Sequence, residues 1–311
     1  MKLPGIFAAV ILILCRGDGA KAQVTYSGTA AADAFLATGS PGNAEGPDLT
    51  GLNFGAAGLL VVAPASSTNG EYQTVVKFNL KNAVGLFNTN YGAGNWLITG
   101  LSLQLASNTG SNGAQPDNAM FPVVSGGRFV IEWLSEDAWV EGTGKPNQTT
   151  TDGVTYDSLP DLLSGAREIV STNTYAPPGN NVPVVYPLPL NTNLVTDVAA
   201  GGDVSLRLYA ADNQIGYVFN SREFGRGNQP LITVTATPRQ PWITAAYFTN
   251  ANFHVIGAGL TNALYQIQAN SSLATTNWQS IGSAVSDGSG VVQFDDTSAA
   301  GQGTRLYRLA R

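Results

Sequence analysis

Apolar and polar side chains alternate along much of the chain, as they do in strands that bury one face. The clearest runs have an apolar residue at every second position: Val76–Leu80, Leu101–Leu105, Phe129–Trp133, Val204–Leu208 and Ile232–Val234. Tracts rich in Gly, Pro and Asn lie between these runs and favour turns. Because the strands of parallel α/β sheets are apolar along their whole length, the alternation predicts antiparallel sheets packed as a sandwich.

Helical patterns are scarce in this sequence. Only Asp161–Val170 and Asn193–Ala199 are predicted as helices, and each is short. The length of 311 residues, compared with roughly 100 to 200 residues per domain, favours two domains. We therefore predict an all-β protein that consists of two successive antiparallel sandwiches.

The prolines of Thr237–Pro241 interrupt the strand pattern and mark a domain boundary. Residues 23–238 are predicted to form a jelly-roll-like β-sandwich. Residues 239–311 carry shorter alternating runs, among them Phe253–Val255 and Tyr265–Ala269, and are predicted to form a small immunoglobulin-like or fibronectin-like module. Asp287–Gly290 is predicted as a hairpin turn within that module.

The first 22 residues have the pattern of a secretory signal peptide. Lys2 precedes an apolar run from Ile6 to Leu14, and Ala20–Ala22 supplies small residues for cleavage. The apolar run is well short of the ~20 residues of a membrane-spanning helix. We therefore expect a secreted protein, extracellular or at the cell surface, that begins at Gln23. Lipidation of Cys15 is the less favoured alternative, because Leu14 precedes it.

Composition and charge narrow the function classes. Only 12% of residues are charged, about half the usual share, and the single cysteine lies in the predicted signal peptide. The mature chain is therefore predicted to have no disulfide. Residues 23–238 hold 8 basic and 17 acidic side chains. This negative charge would repel phosphates, so nucleic acid is not an expected partner.

The first predicted domain resembles the DNRLRE-type domains, which are secreted β-sandwich modules similar to carbohydrate-binding modules. The matching blocks are Ala32–Leu36, Val75–Leu80, Trp139–Thr143, Phe219–Glu223 and Pro230–Val234. The string that gives the family its name is absent, and Ser221–Glu223 is the nearest match. The resemblance implies a β-sandwich fold and a carbohydrate-binding context, without a specific glycan.

The C-terminal segment resembles immunoglobulin-like end modules on secreted proteins of environmental bacteria. The similarity is carried by Leu264–Gln268, by Asn277 with Trp278, and by Leu306–Arg308. Trp278 is expected to be the core tryptophan of this module.

Few residues favour catalysis. The only histidine, His254, lies between Phe253 and Val255 and is expected on the surface or half-buried. No G-x-S-x-G motif accompanies it, and zinc sites built from His and Cys are excluded by count. An alternative hypothesis uses the acidic residues Glu132, Glu136, Asp137 and Glu141, because glycoside cleavage needs two neighbouring carboxyl groups. We nevertheless predict a protein that is not an enzyme.

Calcium is a candidate cofactor, in a structural role. Secreted sandwiches without disulfides gain stability from a bound ion, and Ca²⁺ prefers oxygen ligands. The candidate ligands are Asp33, Asp212 and Glu223. The alternative interpretation is an ion pair between Arg222 and Asp33 or Glu223.

Sugar binding generally uses an aromatic ring that stacks on a pyranose, with polar groups around it. The candidate ligand-binding residues are Tyr156, Trp139, Tyr217 and Arg222, of which Tyr156 is expected to be the most accessible. Trp133 lies an even number of positions from Phe129, on the same face of the predicted strand, and is expected in the core.

These observations predict a secreted, non-catalytic protein that binds polysaccharide or a cell-surface glycan. One alternative is a structural subunit of a matrix, adhesin or filament that contacts other proteins or itself through exposed strand edges. The other alternative is a glycan-degrading enzyme that uses the acidic residues near Glu136.

Overall fold

The computed structural model describes residues 23–40, 47–109, 120–190, 192–239, 241–249, 252–272, 274–300, 302 and 304–310. The predicted signal peptide lies outside the described residues. Strands account for 48% of the described residues and helices for 9%. The prediction of an all-β fold built from antiparallel sheets is confirmed.

The chain divides into two compact units. The first comprises Val24–Leu86 and Ile98–Ala236, and the second comprises Phe87–Leu97 and the chain from Thr237 onward. The division at Thr237 lies within two residues of the boundary placed by the prolines. The assignment of Phe87–Leu97 to the second unit has no signal in the sequence.

The described elements are mostly strands, with three short helices between some of them. In chain order they are β1 (Val24–Thr29), β2 (Ala32–Ala37), β3 (Leu59–Val62), β4 (Tyr72–Asn79), α1 (Lys81–Tyr91), β5 (Trp96–Ser107), β6 (Gly127–Leu134), α2 (Leu159–Leu162), β7 (Arg167–Tyr175), β8 (Val182–Pro187), α3 (Asn193–Ala200), β9 (Asp203–Ala210), β10 (Tyr217–Asn220), β11 (Leu231–Pro238), β12 (Trp242–Thr249), β13 (Asn252–Ala258), β14 (Leu264–Asn270), β15 (Gln279–Val285), β16 (Val291–Asp296) and β17 (Leu306–Ala310).

Two antiparallel sheets form the first unit. One has the order β1-β11-β5-β10-β3, with β8 paired to β5, and the other has the order β2-β4-β9-β6-β7. Phe35 on β2 and Val218 on β10 belong to the same buried cluster, so the apolar faces of the two sheets meet. The ring of Phe35 stacks on Phe54 with a centroid separation of 4.5 Å. The alternation of apolar residues along the strands therefore builds the core that the sequence predicts.

A second group of aromatic residues packs together in another part of the core of the first unit. Tyr217 stacks on Tyr175 at 3.7 Å between ring centroids, and Phe129 packs edge-on against it at 5.5 Å. Tyr217 has no solvent exposure. Trp133 is also buried, as predicted, and its indole Nε1 donates to Asp197 Oδ2 at 2.8 Å.

The helices agree only partly with the predictions. The predicted helix Asn193–Ala199 corresponds to α3, which ends at Gly201 with a φ of 77° in the left-handed region. The predicted helix Asp161–Val170 is wrong. Only α2 forms there, and Arg167–Val170 belong to β7, which pairs with β6. The helix α1 was not predicted.

The second unit contains two three-stranded sheets, with the orders β12-β13-β16 and β15-β14-β17. Its core includes Phe253, Tyr265 and Tyr307. Asp287–Gly290 connects β15 to β16, which lie in different sheets, so the predicted hairpin is instead a turn between sheets. Trp278 is half-buried, and the guanidinium carbon of Arg308 lies 4.6 Å from its ring centroid. It is therefore a surface residue that stacks on a cation, and not the core tryptophan.

Within the described residues, no helix has both the length and the apolar character needed to cross a membrane.

Candidate functional site

A surface cleft lies beside Trp139 in the first unit. We call it the Trp139 cleft; it has a volume of about 500 Å³. The segment after β6 and the segment before α2 supply its walls. The lining residues that could contact a ligand through side chains include Glu136, Trp139, Val140, Asp152, Ser158 and Asp161.

Lys77 on β4 and Ser205 on β9 hold Trp139 in place. The ammonium group of Lys77 donates to the carbonyl oxygens of Asp137 and Trp139, each at 2.8 Å. It also lies 4.6 Å from the centroid of the indole ring, which is within cation–π range. The indole Nε1 donates to Ser205 Oγ at 2.9 Å. The tryptophan is thus held against two strands, and part of it faces the cleft.

The buried side chain of Asn53 fastens the two walls together. Its Nδ2 donates to the carbonyl oxygens of Glu141 and Val154, at 2.6 and 2.8 Å. Its Oδ1 accepts from the amides of Gly55 and Gly144, at 3.1 and 2.9 Å. Every polar atom of this amide is therefore used to bridge segments far apart in sequence.

The cleft has an acidic character. Hydrogen bonds from Thr150 and Thr143 lower the pKa of Asp152 to about 2, so this carboxyl group stays ionised. Glu136 and Asp161 lie in the same lining, and none of the described lining residues is Lys or Arg. The cleft therefore offers an aromatic edge, hydroxyl groups and carboxylate acceptors to a ligand.

A second cluster of charged side chains lies where β2, the segment after β6 and the segment after β10 meet. Asp33, Glu141 and Glu223 each have a carboxylate oxygen within 4.8 Å of the other two, and we call this group the carboxylate cluster. Arg222 donates to Glu141 Oε2 at 2.8 Å and pairs with Glu223 Oε1 at 3.1 Å. Three of the blocks that carry the DNRLRE resemblance thus converge here.

Asp33 is the buried member of the carboxylate cluster. Its backbone amide donates to Glu141 Oε1, and its Oδ2 accepts from the amide of Arg222, both at 2.8 Å. Burial, chiefly, together with the nearby Glu223 and Glu141 charges, holds the pKa of Asp33 well above its usual range, although the Arg222 amide and guanidinium oppose this shift. Burial likewise raises the pKa of Glu141.

Of the predicted calcium ligands, the structure brings together Asp33 and Glu223 but not Asp212. Asp212 accepts from the amides of Arg128, Gln214 and Ile215 and is not part of the carboxylate cluster. Its role as a ligand in that group is therefore corrected. The ion pair of Arg222, which was the alternative interpretation, is present.

The structure places the predicted sugar-binding residues in different environments. Trp139 lines a cleft, whereas Tyr217 is buried in the aromatic core and cannot stack on a ligand. Tyr156 is half-buried, and its hydroxyl donates to Glu71 Oε2 at 2.7 Å, so it is not the accessible ring that was expected. Burial and this hydrogen bond raise the pKa of Tyr156 to about 12.

The four acidic residues of the enzyme hypothesis contact different partners and do not form a single group. Glu132 is buried and pairs with Arg207 at 2.8 Å. Asp137 accepts from Ser205 Oγ at 2.6 Å, and Glu141 belongs to the carboxylate cluster. Of the four, Glu136 alone is among the residues that line the Trp139 cleft.

Sequence reasoning missed several residues that shape these sites. Lys77, Asn53 and Asp152 were not singled out, because their partners lie 60 or more positions away or in irregular loops. The family-like block Val75–Leu80 contains Lys77 and was the only available signal for it. Asn53 and Asp152 lie outside every block.

His254 has the half-buried position that was expected. Its Nδ1 pairs with Asp295 Oδ1, and its ring stacks on Tyr247 with centroids 5.3 Å apart. No serine or cysteine nucleophile is among these contacts, so they do not form a triad.

No family model and no curated protein match the chain. Among solved structures, the chain is similar to the β-glucuronidase of Ruminococcus gnavus in complex with uronic isofagomine, at 8% identity and a TM-score of 0.22, with 91% of this chain and 40% of that chain covered. It is also similar to the β-D-glucuronidase of Dictyoglomus thermophilum, at 7% identity, a TM-score of 0.21, and coverage of 96% and 44%. A third similarity is to native alpha-2-macroglobulin from Escherichia coli, at 13% identity, a TM-score of 0.15, and coverage of 80% and 84%.

The chain spans about two fifths of the length of the glucuronidases. Likeness at these TM-scores carries no argument about function.

Proposed function

We propose that this chain is a secreted, non-catalytic protein that binds neutral polysaccharide in the Trp139 cleft. The observation that carries the proposal is the placement of Trp139. An indole held by Lys77 and Ser205 lines an open cleft whose other side chains include hydroxyls, carboxylates and several apolar groups. Carbohydrate sites combine these two elements, an apolar ring for the sugar face and acceptors for its hydroxyl groups.

The rigidity of the cleft favours recognition of a weakly binding ligand. The Asn53 hydrogen bonds fix both walls before any ligand arrives, so little conformational entropy is lost on binding. Binding at a shallow site of this size is expected to be weak. Several copies on one polysaccharide or one surface would raise the affinity by avidity.

The charge of the cleft selects the class of glycan. Asp152 stays ionised, and Glu136 and Asp161 are its neighbours in the lining, so a uronic acid would be repelled. Arg222 does not supply a clamp for an acidic sugar, because Glu141 and Glu223 already engage its guanidinium. We therefore expect neutral sugars to bind better than uronates.

Affinity electrophoresis against a panel of neutral and uronate-containing polysaccharides tests this proposal. At least one neutral polysaccharide should retard the wild-type protein, and Val140→Asp should abolish the shift. Val140 lines the cleft and is 64% exposed, so this substitution places a charge in the cleft without disturbing the core. Trp139→Ala should have the same effect, whereas Trp278→Ala, in the second unit, should not.

Retardation that survives both cleft substitutions would place glycan binding elsewhere on the protein. Retardation only by uronates would contradict the charge argument, and retardation by no member of the panel would contradict the proposal as a whole.

A structural role has one observation in its favour. Tyr247 and Phe248 on β12, an edge strand of the second unit, are 49% and 48% exposed. Exposed aromatic residues at a sheet edge are typical of protein contacts. If this role is the main one, light scattering will detect self-association that Tyr247→Lys disrupts and that no glycan changes.

The enzyme hypothesis rests on Glu136 with a second acid of the cleft. It predicts that new reducing ends appear when the protein is incubated with a polysaccharide, and that Glu136→Gln stops their release.

A further inference from the structure

We propose that the carboxylate cluster is a Ca²⁺ site at which the ion replaces the guanidinium group of Arg222. In the structure, the guanidinium group of Arg222 supplies the positive charge beside these carboxylates. The site differs from the one expected from sequence, because Glu141 takes the place of Asp212.

An unpaired buried oxygen points to a missing partner. Asp33 is fully buried, and its Oδ1 has no hydrogen-bond partner among the described residues. Leaving a buried carboxylate oxygen unpaired is costly, so native proteins satisfy such atoms with a donor, an ion or a proton. The carboxylate oxygens of Glu141 and Glu223 lie within 4.8 Å of an Asp33 carboxylate oxygen, and ionised carboxylates accept hydrogen bonds without donating them. Of the charged side chains that meet here, Arg222 is the one that can donate a hydrogen bond.

The charges of the cluster are unbalanced. Three carboxylates face one guanidinium, and the ammonium group of Lys77, whose charge also acts on Glu141, donates to the backbone carbonyls of Asp137 and Trp139. A single positive charge cannot neutralise three negative ones. Either a proton on Asp33 or a divalent cation restores the balance.

Arg222 can leave without opening the core. Its side chain is 37% exposed, as is expected of a group that can move into solvent. Its departure would release Glu141 Oε2, Glu223 Oε1 and the carbonyl oxygen of Ala31, which now accept from it. Together with Asp33 Oδ1, these oxygens could act as ligands of a metal ion. They come from the start of β2 with the residue just before it, and from the loops that carry Glu141 and Glu223.

The donor set selects the ion. Oxygen ligands favour hard cations, and Ca²⁺ accepts about six to eight of them in a flexible arrangement that water can complete. Mg²⁺ demands a near-ideal octahedron at shorter distances, which a set of side chains assembled from three segments is less able to supply. We therefore expect Ca²⁺ to bind more tightly than Mg²⁺.

Thermal unfolding with chelator or with excess Ca²⁺ tests the proposal. An ion that binds only the native state raises the Tm by about 5 to 10 °C at roughly a hundred times its Kd. We expect this rise for the wild-type protein and for the control Asp212→Asn, but not for Asp33→Asn. A wild-type Tm that chelator and Ca²⁺ leave within about 1 °C of each other would overturn the proposal.

The Arg222→Ala variant separates a displaced cation from a structural ion pair. With chelator, this variant should unfold at a lower temperature than the wild type, because the cluster loses its only guanidinium. With Ca²⁺ it should recover, and titration calorimetry should give one ion per chain with a Kd at least about tenfold lower than that of the wild type. A Kd equal to that of the wild type would contradict the replacement of Arg222.

If Asp33→Asn does not fold, Glu223→Gln serves in its place, because Glu223 is 29% exposed and its replacement is tolerated more easily. Calorimetry of the folded variant should then show Ca²⁺ binding at least about tenfold weaker than in the wild type. Unchanged binding would exclude Glu223 from the site.

Discussion

At the scale of single residues, Asp33 contributes to how the free energy of unfolding responds to pH. Its pKa in the folded protein is raised, first by burial and then by Glu223 and Glu141, against the opposing Arg222. The native state therefore holds this proton more tightly than the unfolded chain does. The resulting stabilisation is present below the ordinary pKa of an aspartate and is lost as pH rises through the folded value.

We predict that, with chelator, the free energy of unfolding of the wild type relative to Asp33→Asn falls as the pH rises above the ordinary pKa of an aspartate, about 4. Urea titrations of both proteins at several pH values would measure this difference. Excess Ca²⁺ should remove most of the fall. Parallel pH profiles for the two proteins would show that Asp33 has no raised pKa.

Asn53 is a second residue whose substitution is expected to change the free energy of unfolding strongly. Asn53→Ala would leave two buried amides and two buried carbonyls without their partner. We expect a loss of roughly 3 kcal/mol of unfolding free energy, together with the loss of glycan retardation.

Denaturation in urea checks the effect of Asn53→Ala on stability. Asn173→Ala is the matched control, since its side chain donates to the neighbouring Ser171 on the same strand. The control should cost less than about 0.5 kcal/mol. Equal losses in the two variants would contradict the bridging role of Asn53.

At the scale of elements, strands were more predictable than helices, of which only α3 was predicted. The sequences of β4, β6, β9 and β11 alternate, but only β11 buries alternate residues, whereas β4, β6 and β9 are buried at most positions. The segment before β7 has leucines at helical spacing, but Glu168 pairs across to Trp133 on β6. Sheet pairing, which is not visible locally, overrides the helical pattern.

The unpredicted helix α1 left a signal in the sequence. Ala83, Phe87 and Tyr91 are spaced four apart and are all buried, which is the pattern of one helix face. Its many Asn residues and Gly85 have low helix propensity and obscured this spacing. Burial against the rest of the protein stabilises this helix more than its composition does.

The loop that carries Glu141 depends on close backbone packing. Gly142 has a φ of 81°, and a Cβ there would lie too close to the Asn53 side chain. Gly58 has a φ of 77°, but a Cβ there meets nothing within 4 Å. Both positions therefore share the backbone cost of a left-handed residue, and only Gly142 adds a steric clash.

We predict that Gly58→Ala costs about 1 kcal/mol of unfolding free energy and that Gly142→Ala costs about 2 kcal/mol more. Chemical denaturation would compare them. Equal costs would show that the loop can move away from Asn53 freely, in which case the Trp139 cleft would not be preformed.

At the scale of the whole molecule, the sequence indicated which residues matter better than it indicated where they meet. Asp33, Glu223 and Arg222 were singled out, and they converge in one cluster. Asp212 was grouped with them only because early and late strands often lie near each other. The alternation that identified core strands did not extend to Tyr217, whose short strand β10 is buried at all four positions.

The central claim is that the first unit holds a neutral polysaccharide in the Trp139 cleft without cleaving it. A single equilibrium experiment tests both parts. The protein is incubated with a neutral polysaccharide that retards it, and the bound fraction and the chain length of the glycan are then measured in the same sample. The account predicts that glycan is bound, that Val140→Asp abolishes this binding, and that the chain length is unchanged. Shortened chains, or binding that the substitution does not affect, would contradict it.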